Sequence, residues 1–158
     1  MRIDQLFEPY HHHHQAAARS ALGLVIDVCH DGHLGYAKAG EVVADGRLKE
    51  LFALFSAQRR DFAKKLEEHA LWVGGIPEAG PRVGGLLHRK WIEIRGTIEH
   101  GAAVTLLSEC ERGENSALAR YEHALSIPMP EDLRLILLAQ VREIRAAHDQ
   151  LDRMRGHF

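Results

Sequence analysis

The sequence predicts an all-α protein: four long helices in two antiparallel pairs, with a long crossover joining the pairs. Three observations carry that prediction. Four segments space their apolar residues by three and four, and no stretch alternates with the period of a strand. The densest cluster of glycine and proline falls midway along the chain, between the second and third of those segments. A length of 158 residues suits one domain and leaves little room for two.

The first predicted helix runs from about Ser20 to Ala44, with Leu22, Val25, Ile26, Cys29, Gly32, Tyr36, Ala39 and Val43 on one stripe. Ser20 reads as its N-cap, and residues 1–19, with the tract His11–His14, read as a disordered lead-in. Asp45-Gly46 is a stop so short that the second helix must turn back against the first. That helix, about Arg47 to Val73, carries Leu48, Phe52, Phe55, Arg59, Phe62, Leu66, Ala70 and Val73, the seam of a bundle helix. Gly74-Gly75 ends it. The stretch GGIPEAGPRVGG that follows holds five glycines and two prolines and is a connection.

A shorter amphipathic helix is predicted within the crossover, at about Val83 to His100, with Leu87, Trp91, Ile94 and Ile98 on one side. There Trp91 plugs the bundle, or else anchors a subunit interface. The third long helix, about Ala102 to Ser126, lines up Ala103, Leu107, Cys110, Glu114, Ala117, Tyr121 and Ala124. Pro128 and Pro130 close it, and Glu131-Asp132 start the fourth, about Glu131 to Arg155. The 28 residues from Gly74 to Gly101 are too many for a simple up-down bundle. One long crossover between two hairpins is the ferritin-like four-helix arrangement, here over residues 20–155.

Candidate functional residues are those that break the apolar stripes. Arg59 interrupts the second helix and Glu114 the third, Gln140 interrupts the fourth, and His33 edges the first. Counting back from the turns puts His33 level with Gln58 and Glu114 level with Glu143. All four helices then bring polar groups to mid-bundle. Buried charges need partners, so Arg59 and Glu114 are expected to pair in bidentate fashion, with Gln140, Tyr36 and Tyr121 adding hydrogen bonds. Two alternatives stay open: Arg59 snorkels outward along its stem, or the polar layer is a functional site.

ECERGENSALARYEHAL (109–125), GLLHRKWIEIRGTI (85–98), DGHLGY (31–36) and AAHDQLDRMR (146–155) together resemble the uncharacterised bacterial ferritin-like family labelled domain of unknown function 2383. The resemblance implies a ferritin-like bundle from a bacterium, stress-associated, with no established reaction. Di-iron members of that wider fold use one carboxylate on each of two helices and Glu-x-x-His on each of the others. Here Arg59 is followed at i+3 by Phe62, Gln140 by Glu143 and Glu143 by Ala146, so neither helix offers that motif. No cofactor is expected. The competing reading is a metal-binding protein or metal-dependent oxidoreductase, with Fe, Mn or Zn held by Glu111, Glu114, Glu143, His148 and His33, and Glu111 the more exposed of its helix pair.

Composition closes off other classes. A formal charge of −2 and 6% aromatic residues argue against a dedicated nucleic-acid binder. The longest apolar or glycine run, Ala21–Ile26, is far too short to span a bilayer, and MRIDQLFEPY shows no signal-peptide pattern. Two cysteines make no disulfide framework, so a cytoplasmic location is expected. No serine shows a nucleophile elbow and the glycine-rich stretch lacks Gly-Lys-Ser/Thr. The expected protein is therefore a non-catalytic or accessory bundle, a homo-oligomer with a dimer favoured. Its expected partners include neither nucleic acid nor membrane.

Overall fold

The computed structural model describes residues 4–75 and 103–158. Within them the chain forms α1 (Asp4–Val42), α2 (Gly46–His69) with a 3₁₀ turn at Ala70–Val73, α3 (Ala103–Leu125) and α4 (Glu131–Arg155). There is no strand among the described residues, and the four helices make an all-α bundle. The crossover helix expected at 83–100 lies outside the described residues.

Local chemistry explains the ends. Asp45 caps α2, its carboxylate accepting from Leu48 N at 3.0 Å. Gly74 and Gly75 close the 3₁₀ turn with φ of 91° and 98°, a region that costs other residues a Cβ clash. Glu131 and Asp132 sit in the first turn of α4 and Arg153 and Arg155 in its last, both favourable to the helix dipole. One expectation needs correcting. α1 begins at Asp4, so residues 4–19 are helical and Ser20 is an exposed mid-helix residue rather than a cap. Ala16, Ala17 and Ala18 are strong helix formers, and Ala18 and Ala21 are buried in the core, so nothing stops the helix at Ser20.

Around the bundle α1 packs on α2 and α3, and α4 packs on α3 and α2, leaving α1/α4 and α2/α3 as diagonals. Tyr36 reaches Glu114 and Cys29 reaches Tyr121, so α1 and α3 run antiparallel. It follows that α2 and α3 are parallel. The end of α2 and the start of α3 therefore lie at opposite ends of the bundle, and the 24 residues of α2 span about 36 Å. That geometry is why the crossover is long.

The core is split in two. One cluster holds Val25, Ile26, Phe62, Leu66, Tyr121, Leu133 and Leu137. The other, nearer the α1–α2 turn, holds Tyr36, Phe52, Phe55, Leu106, Leu107 and Leu151. Along α2 the break falls at Arg59 and along α3 at Glu114, each buried between the two clusters.

Candidate functional site

The polar layer follows from periodicity. Arg59 and Glu114 occupy stripe positions, so helix packing drives them inward whatever their charge. Arg59 is 2% exposed and Glu114 1%. Arg59 Nη2 donates to Glu114 Oε2 at 2.7 Å across the α2/α3 diagonal. Tyr36 donates its hydroxyl to the other oxygen, Oε1. The pair is thus single-pronged, because Tyr36 occupies the place of a second guanidinium bond. Arg59 does not snorkel outward. Its Nε donates to Gln58 Oε1 at 3.3 Å, and its guanidinium carbon lies 5.7 Å from the Tyr36 ring centre and 5.9 Å from that of Phe62.

Gly32 is what lets the guanidinium in. A Cβ on Gly32 would lie 3.2 Å from Arg59 Cγ and 3.7 Å from its Cβ and Cδ. The arginine stem therefore lies against bare backbone of α1 at the level where the two core clusters part.

Beside this pair runs a second chain of bonds. Tyr121 donates to Gln140 Oε1 at 2.6 Å, which uses its only hydroxyl proton, so the Cys29 thiol is the donor in the 3.1 Å contact to Tyr121 Oη. Gln140 Nε2 in turn reaches Phe62 O at 3.5 Å. Through the two chains, polar groups from all four helices meet at mid-bundle.

Burial governs the titration of these groups. It pushes the Cys29 thiol up to about 11 against the opposing Tyr121 hydrogen bond and Arg59 charge. Burial, reinforced by the Glu114 charge, raises Cys110 further, and it raises Tyr36 for the same two reasons. Tyr121 is raised by burial and then by Cys29. For Arg59 burial alone would lower the value, but Glu114 and Tyr36 outweigh it and leave the guanidinium above its ordinary range. At neutral pH both thiols and both phenols keep their protons, so the layer holds one cation against one carboxylate and no thiolate nucleophile.

The other expected residues scatter. His33 stays out of the layer and sits in the outer α1/α2 seam, its Nδ1 within 3.0 Å of Ser56 O and 2.9 Å of Ser56 Oγ. Its partner lies within a turn of the expected Gln58 level. Glu143 is exposed and not level with Glu114. The α3/α4 bonds Tyr121–Gln140 and Glu111–Arg155 show the pair offset by at least a turn from the hairpin count. His148 is half-buried and nearest Asp149, at 3.6 Å. Glu111 is, as expected, more exposed than Glu114, yet at 8% it is still buried, with Arg155 folding back from the last turn of α4 to bond its Oε2 at 2.8 Å. Among the described residues no three His, Cys, Asp or Glu side chains converge on a point where a metal ion could sit. The five residues considered for Fe, Mn or Zn are thus not brought together.

Three participants escaped the sequence reading. Cys29 lies on an apolar stripe with nothing in the sequence to mark it as a hydrogen-bonding group, and only the facing Tyr121 reveals its bond. Ser56, one turn before Arg59 on α2, is buried at 7% and donates to His33 O at 2.8 Å. Arg155 signals itself only through its place in a terminal turn.

A search of curated proteins finds no match. A family model does match, the domain of unknown function DUF2383, over residues 17–126. The match takes in α1 from Ala17, α2, the crossover and α3, and stops before α4 and the AAHDQLDRMR segment. It covers both members of the Arg59–Glu114 pair and leaves Gln140 outside. This chain belongs to the DUF2383 family.

Proposed function

We propose that this chain is a bacterial, cytoplasmic accessory protein, a ferritin-like bundle that acts through its surface as a homo-oligomer and carries no reaction at its centre. The observation that supports this is the Arg59–Glu114 pair. A ferritin-like protein would place its metals at mid-bundle among carboxylates and histidines. In this chain the same level holds a guanidinium at 2% exposure, 2.7 Å from the Glu114 carboxylate, with Tyr36 on that carboxylate's second oxygen. A fixed cation repels a dication, and both Glu114 oxygens already accept a hydrogen bond.

One observation favours a metal-binding alternative. Glu111 Oε1 is buried with no hydrogen-bond partner, the state in which a carboxylate oxygen could take a cation. Among the described residues Glu111 belongs to no group of three His, Cys, Asp or Glu side chains able to hold an ion, which is why the accessory reading is preferred.

Elemental analysis separates the two. The full chain, with His11–His14 changed to alanine so that the tract cannot bind metal, is produced with iron, manganese and zinc supplied. The accessory reading predicts far less than one equivalent of any metal, unchanged in Glu111→Gln and Glu114→Gln. Near-stoichiometric metal that disappears in either variant would overturn it.

A further inference from the structure

Outside the polar layer, the seam between α1 and α2 opens into a surface groove of about 470 Å³, a volume suited to a small molecule. Its floor is made of small residues, Ala37 and Gly40 from α1 with Ala53 and Ala57 from α2, which leave an apolar trough where longer side chains would fill the seam. His33, Tyr36, Glu41, Lys49, Ser56 and Arg60 supply its polar groups.

His33 is held in one tautomer. Ser56 donates its hydroxyl proton to His33 O at 2.8 Å, so Ser56 Oγ presents only lone pairs to His33 Nδ1 at 2.9 Å. Ser56 O, 3.0 Å from the same nitrogen, is also an acceptor. Nδ1 must therefore carry the hydrogen, and in the neutral ring Nε2 is the bare acceptor. Nε2 makes no hydrogen bond among the described residues. Two cations of the groove are at most lightly engaged among the described residues. Lys49 has no ion pair among the described residues, and Arg60 has a single 3.4 Å contact, from its Nε to the neighbouring Asp61. The groove's one carboxylate, Glu41, is matched by Lys38 at 3.1 Å.

A complementary ligand brings an anionic group, a short apolar body and a hydrogen-bond donor. We propose that this groove binds a small hydroxylated organic acid, its carboxylate on Arg60, its hydroxyl donating to His33 Nε2 and its carbon chain along the alanine floor. Arg60 is chosen over Lys49 because it lies one helical turn from Ser56, the residue that positions His33, whereas Lys49 lies two turns away. The groove borders the Arg59–Glu114 layer at Tyr36 but uses neither of that layer's charged groups, and its presence or absence leaves the reading of that layer unchanged.

The test is an amide-resolved NMR titration of the full chain with lactate, malate and 3-hydroxybutyrate at constant ionic strength, with butyrate as the acid lacking a hydroxyl. The expected result is saturable shifts confined to residues 33–41 and 49–60 for at least one hydroxy acid. Butyrate should bind about tenfold more weakly, as befits loss of one hydrogen bond in the site. Arg60→Gln should weaken binding by at least about as much. Ala53→Met, at an exposed position where folding is not at stake, should fill the trough and abolish the shifts. The proposal fails if none of the three acids saturates, if the shifts spread over arginines elsewhere, if butyrate binds equally, or if Ala53→Met binds like the parent.

Discussion

Alkaline pH should destabilise this fold through its buried thiols. Cys29 and Cys110 are both raised from an ordinary value of 9.0, Cys29 to about 11 and Cys110 beyond it. Between the unfolded and folded values the native state holds a proton that the unfolded chain has lost, so stability falls as pH rises through that window. A pH near 10 lies about one unit above the ordinary value of an unfolded thiol, which makes a loss of about 1.4 kcal/mol for each cysteine. Two thiols make about 3 kcal/mol, and Tyr36 and Tyr121, raised from 10.0, begin to add to it there. Urea unfolding followed by circular dichroism at about pH 7.5 and about pH 10 measures the difference. Cys110→Ala isolates one thiol: it should recover about 1.4 kcal/mol of the pH-dependent loss, whatever it does to stability at neutral pH. Equal stability at the two pH values, or an unchanged loss in Cys110→Ala, would refute the reasoning.

Further outcomes follow from single contacts. Gly113→Ala, in α3 with nothing within 4 Å of the new Cβ, should stabilise by about 0.5–1 kcal/mol, whereas Gly32→Ala should forfeit that gain because its Cβ meets Arg59 Cγ at 3.2 Å; thermal melts of the two compare them directly. Asp45→Ala removes the α2 cap and should cost about 1 kcal/mol by urea titration. In the folded protein at about pH 8, Cys29 and Cys110 should resist an alkylating reagent that labels both in urea, as read by mass spectrometry.

Much of the fold was legible because it rests on period and punctuation. The stripe of α2 from Leu48 to Val73 and the Gly74-Gly75 stop are both where the sequence puts them, and α4 spans the predicted residues. The start of α1 was not legible, since Ser20 offers a cap without any break in helix-forming residues before it. At the centre, Arg59 and Glu114 stand out because a charge on an apolar stripe has nowhere else to go. What the sequence could not supply is lateral register. A helix wheel places His33 near the seam but cannot distinguish facing Arg59 from facing Ser56, and a hairpin count offset by a turn misplaces Glu143. Nor does it foresee that Arg155 would fold back and bury Glu111.

The central claim is that Arg59 and Glu114 pair in a buried layer that joins the two halves of the core. A double-mutant cycle with Arg59→Met and Glu114→Leu tests it directly. Each single change strands a buried charge and should cost about 3–5 kcal/mol, lowering Tm by about 10 °C. The double variant should regain much of that loss, giving a coupling energy of about 3 kcal/mol or more. Two single effects that simply add, or an Arg59→Met variant as stable as the parent, would contradict the account.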